Sequence, residues 1–96
     1  MQSHRQIEQR SLAMISAIVH RIDQDPQRTG LLKARANCRR WPASAALQEW
    51  ERLLEKPWEE IRLVLLDPGE EGCRLRQNDP FVGILTPQER WEFYRS

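Results

Sequence analysis

His20 and Asp23 stand three residues apart, a spacing that places an imidazole and a carboxylate on one helix face, where the acid could orient the ring as a general base. A solvated face close to a helix C-terminus accounts for the pair with fewer demands. Glu59-Glu60 and Glu70-Glu71 are the candidates for paired-carboxylate chemistry of the kind that hydrolyses glycosides. Adjacent helical residues do not face one another, however, and both pairs fall in predicted first turns, where the helix dipole favours acids. His4 and His20 are separated by roughly 24 Å of helix and share no ligand set. Cys38 and Cys73 are too few and too isolated for a zinc site or a disulfide framework, and read as reduced thiols packed in or near the core. Neither Ser11 nor Ser44 has a glycine-rich elbow, and no phosphate-binding loop is present. The expectation is a protein without catalytic residues, metal or cofactor.

Two other groups of residues are better placed to act. Between Asp25 and Glu49 there is no acidic residue, while Arg28, Lys33, Arg35, Arg39 and Arg40 lie there, followed by Trp41. A helix carrying them could set several cations on phosphates while the indole stacks on a base. The overall balance argues against a polyanion partner. Net charge is only +1 and the isoelectric point is about 7.9. Residues 1–48 hold eight Lys/Arg against three Asp/Glu, a charge of +5; residues 49–96 hold seven against eleven, a charge of −4. Such a polarised chain equally suits the basic region of one molecule meeting the acidic region of another. The second group is aromatic: of four Trp residues, Trp50 and Trp58 sit on apolar stripes that predict burial. Trp41 and Trp91 stand beside Arg39-Arg40 and Arg90, where a stacked guanidinium or a partner contact is expected, and Trp91 with Tyr94 is a candidate interface.

The elements that must carry these residues are announced by proline, whose fixed φ and missing amide suit the first helical position. Asp25-Pro26, Asp67-Pro68 and Thr86-Pro87 each put a side-chain oxygen at the N-cap, and the latter two add glutamate at the third helical position, completing a capping box. Trp41-Pro42 and Lys56-Pro57 lack a cap oxygen but precede periodic apolar runs, and Ser44 is an alternative cap for the first. The predicted helices span about 3–23, 26–40, 43–55, 57–66, 68–77 and 87–95. The first carries Ile7, Ser11, Met14, Ile18 and Ile22 on one stripe, flanked by Leu12, Ile15 and Val19. The second is short of large apolar residues, and Gly30 weakens its start. Pro80 belongs instead to a connector, residues 78–86, in which Phe81, Val82, Ile84 and Leu85 are expected to plug the bundle irregularly.

These elements predict an all-α fold, a compact bundle of five to six short helices around the first, in one domain covering residues 1–96. A chain of this size buries only about 60–65% of its unfolded surface, so the core is lean. No apolar run approaches a membrane span, and MQSHRQIEQR is not a secretory leader, so a cytoplasmic location is expected. The segment RLRQNDPFVGILTPQERW, residues 74–91, resembles the tail of small bacterial helical proteins without a settled function. That resemblance covers about a quarter of the chain. It implies a stand-alone bacterial protein, more specifically a regulator of the antitoxin-like operon-partner kind, and brings no catalytic residues. The expectation is a non-enzymatic interaction or regulatory protein, bound to a protein partner or to itself, with nucleic-acid binding through 26–41 as the alternative.

Overall fold

In a computed structural model that describes residues 4–95, the chain folds into six helices: α1 (His4–Asp23), α2 (Thr29–Arg40), α3 (Ala45–Leu53), α4 (Trp58–Leu66), α5 (Glu70–Arg76) and α6 (Pro87–Arg95). No strand occurs among the described residues. The expected start of the first helix near residue 3, and the side chain of His4, lie outside what is described. α1 is central: α2, α4 and α6 all pack on it, while α3 pairs with α2 and α5 with α4.

The proline rule holds where nothing else competes for the cap. Thr86 accepts from the Glu89 amide through Oγ1 at 3.1 Å, and the Thr86 amide donates to Glu89 Oε1 at 2.8 Å, so the box before α6 is complete. Pro57 marks the start of α4 less strictly: it takes the N-cap position, and Trp58 is the first helical residue. Elsewhere the starts shift. α2 begins at Thr29, not after Pro26, because Arg28 adopts a left-handed conformation with φ 51°, which ends any helix entered from Pro26. The Asp25 carboxylate spans this turn, accepting from the Gln27 and Thr29 amides. α5 likewise begins at Glu70: Asp67 accepts from the Gly69 amide, its own amide donates to Val64 O, and the expected box to Glu70 gives way to a Gly69 cap. Trp41-Pro42 closes α2 rather than opening α3. Trp41 is extended, as the residue before proline tends to be, and Ser44 caps α3 by accepting from the Leu47 amide at 3.1 Å.

Helix ends follow a rule that is not local. The last carbonyls of a helix have no intrahelical donor, and here side chains from other segments supply it. Arg28 Nη1 donates to Ile22 O and Asp23 O at the end of α1. Arg35 Nη2 donates to Leu54 O just beyond α3, and the buried Arg76 donates to Leu65 O and Asp67 O around the end of α4. Trp50 Nε1 donates to Leu75 O at the end of α5. A guanidinium also places positive charge at the negative end of the dipole.

The core is one cluster in which Ile15, Ile18, Val19 and Ile22 of α1 meet Leu31 and Ala34 of α2, Leu47 and Trp50 of α3, Trp58, Ile61 and Leu65 of α4, and Leu75 of α5. Phe81 closes it, meeting Trp50 edge to face with ring centroids 5.9 Å apart. Phe81 and Leu85 are buried as expected and Ile84 partly so, but Val82 is 48% exposed. The reason lies in the backbone. The connector has no helix or strand to pair its carbonyls, and a buried carbonyl must find a donor. Asn37 Nδ2 donates to Pro80 O and Val82 O, Lys33 Nζ to Gly83 O, and Arg21 Nη1 to Ile84 O. Gly83, with φ 89°, makes the left-handed turn within this tied stretch, beside the exposed Val82.

Candidate functional site

Most cations of the basic segment bond within the chain, although Lys33, Arg39 and Arg40 stay exposed. Arg28 closes α1, Lys33 holds the connector, Arg35 closes α3, and Arg40 Nη2 donates to Asn37 Oδ1 at 2.8 Å, fixing the amide that clamps Pro80 and Val82. Arg39 is exposed and lines a cleft between α2 and α3 that also contains Arg35, Glu51 and Glu55. Two carboxylates therefore stand opposite the remaining cation. Trp41 is half-buried against the core, so its ring has one face committed.

The acidic and nucleophilic candidates are similarly occupied. Asp23 does not orient His20: its carboxylate accepts from Trp58 Nε1 at 2.7 Å and from Arg62 at 3.0 and 3.2 Å, and those bonds, Trp58 first, hold it below the usual carboxylate range. His20 is exposed. Glu59-Glu60 and Glu70-Glu71 lie in the first turns of α4 and α5. Arg74 bridges Glu71 and Glu49. Cys38 is buried, which pushes its thiol pKa up with a smaller contribution from Glu51; Cys73 is half-buried, and both are free. Among the described residues no three His, Cys, Asp or Glu side chains are grouped to hold a metal ion.

Two of the large apolar side chains left open to solvent are aromatic and lie on one helix. Trp91 is 62% exposed and Tyr94 45% exposed on α6, a helix with no fully buried residue. α6 is fastened to α1 at two points. Arg21 pairs with Glu89 at its start, and the Arg10 guanidinium lies over the Tyr94 ring, 4.8 Å from the centroid, near its end. For Trp91 beside Arg90 the sequence allowed a stacked guanidinium or a partner contact; the stacking found is on Tyr94, from Arg10 of α1. Ile7, 49% exposed, lies one turn before Arg10 on α1. Trp91 is likewise one turn from Tyr94, so Ile7, Arg10, Trp91 and Tyr94 lie along the seam where α1 and α6 pack.

Beside this seam is a notch of about 100 Å³ between α1, the connector and α6, lined by Ser11, Met14, Ile18, Asp79, Leu85 and Arg90 among others. Burial raises the Asp79 carboxyl, against the opposing effects of the Phe81 amide, Arg76 and Arg90. The notch is too small for a drug-sized ligand, whose pockets measure about 300–1,000 Å³. The tying residues Asn37, Arg76 and Glu89 were not among the sequence candidates. Only Glu89, in its capping box, carried a local signal.

No family model, curated protein or solved structure matches this chain. Among the described residues no helix is long and apolar enough to cross a membrane.

Proposed function

We propose that this chain is a non-enzymatic interaction or regulatory protein, working in the cytoplasm through protein contacts made at the α1–α6 seam. The observation that carries the reading is Trp91, a large apolar side chain left 62% exposed on a helix fastened firmly to the rest of the fold. A mobile tail would lose affinity to ordering on binding; a pre-positioned indole does not. Burying it on a partner is the kind of contact that contributes about 2 kcal/mol or more to a complex. The antitoxin-like bacterial operon partner is the specific form favoured by the resemblance of residues 74–91.

Cross-linking of Trp91→Ala and wild type under native conditions tests the reading: the wild type yields a specific cross-linked species through α6, and the variant loses it. Equal cross-linking in both would sink the seam as the contact surface. The alternative, nucleic-acid binding through residues 26–41, loses ground to the internal bonding of Arg28, Lys33, Arg35 and Arg40. A salt-sensitive mobility shift reduced by Arg39→Ala with Arg40→Ala would restore it.

A further inference from the structure

A second exposed apolar residue stands out on α4. Leu63 is 67% exposed, more than Trp91. Its helical neighbours are Glu59 and Glu60 on the preceding turn and Leu66 and Asp67 on the following one. Glu59 and Glu60 are exposed and enter no ion pair among the described residues. The feature is an apolar knob ringed by carboxylates. The α1–α6 seam leans the other way: its apolar residues Ile7, Trp91 and Tyr94 stand among Arg10, Arg90 and Arg95, against Glu8 and a Glu92 already paired to Arg95.

Charge decides which surfaces can meet. Two copies joined ridge to ridge would set Glu59, Glu60 and Asp67 against the same three carboxylates. Two copies joined seam to seam would bring two net-basic surfaces together, Arg10 and Arg90 of each facing the other. Like charges face to face across an interface cost several kcal/mol. Ridge against seam buries Leu63 on Trp91 and Tyr94 while carboxylates meet guanidiniums. α4 and α6 both pack on α1 as separate elements, so one chain presents both surfaces at once. Resting on the reading of the seam as a contact surface, we infer that this chain self-associates head to tail, the acidic Leu63 ridge of one copy seating on the α1–α6 seam of the next. Such a contact is heterologous, and it extends beyond a dimer unless the rotation closes a ring.

Sedimentation velocity across a wide concentration range at low salt tests this. The wild type grows past twice the 11.4 kDa chain mass, and the growth weakens as salt screens the ion pairs. Leu63→Lys and Trp91→Glu each abolish growth, while their helical circular dichroism and thermal midpoints stay at wild-type values, because both side chains are exposed. An equimolar mixture of the two recovers a dimer and nothing larger, since one intact ridge and one intact seam remain between them. A mixture that stays monomeric while the wild type associates overturns the head-to-tail inference in favour of a symmetric contact. A wild type monomeric at every concentration also overturns it, yet leaves the seam to a different chain, which the Trp91→Ala cross-linking experiment decides separately.

Discussion

α2, followed by Trp41, and α6, which contains Trp91, are both polar helices, and they use their side chains in different ways. α2 spends its polar residues on the chain itself: Asn37 is 2% exposed, Arg28, just before the helix, Lys33 and Arg35 donate to carbonyls of other segments, and Arg40 donates to Asn37. α6 buries nothing completely and holds Trp91 and Tyr94 outward. A run of positive charge in a sequence can therefore serve the fold through its N–H groups as well as the surface through its charge. When short helices meet at short connections, their terminal carbonyls need donors, and arginine is the side chain long enough and rich enough in N–H groups to reach them.

The comparison breaks first at Asn37. Asn37→Ala leaves Pro80 O and Val82 O without their donor, and the Pro80 bond is buried. Stranding such groups costs about 1–3 kcal/mol each, so a loss of about 2–3 kcal/mol is expected in the denaturant midpoint. Arg39→Ala, two residues further along α2 and without such a tie, should stay within about 0.5 kcal/mol. Equal effects at the two positions would mean that α2 is not the internal clamp described.

Arg28 comes next. Arg28→Ala removes the donor from Ile22 O and Asp23 O. Bonds from charged groups contribute about 1.5–3 kcal/mol, the lower end applying to this half-exposed position. Arg28→Gly loses the same bonds but relieves the left-handed φ of 51°, which glycine adopts without the penalty of about 1 kcal/mol. Glycine should therefore be the milder substitution in thermal or chemical denaturation, and the reverse order would deny that backbone strain is present.

How much of this was legible in the sequence follows from the range of each interaction. Helix starts are set within four residues, so Thr86-Pro87 with Glu89, Pro57 and the alternative cap Ser44 could be read directly. Asp25-Pro26 failed because Arg28, two residues on, leaves the right-handed region to reach back to α1, and nothing at Pro26 announces it. Helix ends depend on donors far along the chain. Asn37 meets carbonyls 43 and 45 residues away, and before the fold is known it is an ordinary polar residue between Ala36 and Cys38. The same distance hid Arg76 and turned the basic segment into a candidate surface. Trp91 and Tyr94 could be named as a candidate interface because tryptophan favours contact surfaces and Trp91 stands beside Arg90. The role of Arg10 on Tyr94 required the α1–α6 packing.

Smaller effects sharpen the α6 side. Thr86→Ala should cost about 1 kcal/mol by removing the cap. Glu89 bonds Arg21 and the Thr86 amide, and these hold its carboxyl at about 2. A depressed carboxylate pKa contributes stability above the unfolded value, about 4.5, and loses it as pH falls towards 2. Asp79 has the opposite sign: its raised pKa makes the ionised form a liability that protonation relieves. Acid titration followed by circular dichroism should therefore show destabilisation on the limb between about 4.5 and 2, flattened in Glu89→Gln. An unchanged limb would place the acid sensitivity in Asp23 or another depressed carboxylate instead.

The smallest expected effect on stability is at Trp91, and its smallness is the point. With 62% of its surface already in water, Trp91→Ala removes little buried area and should shift the thermal midpoint no more than an ordinary surface substitution, within about 0.5 kcal/mol. Trp50→Ala, at 1% exposure, should cost about 3–5 kcal/mol by leaving a cavity. A tryptophan that can be deleted without weakening the fold, but whose deletion abolishes association, is held in place for contact with another molecule. If Trp91→Ala instead lowered stability as a core substitution does, α6 would be a structural lid on α1, and the contrast with α2 would disappear.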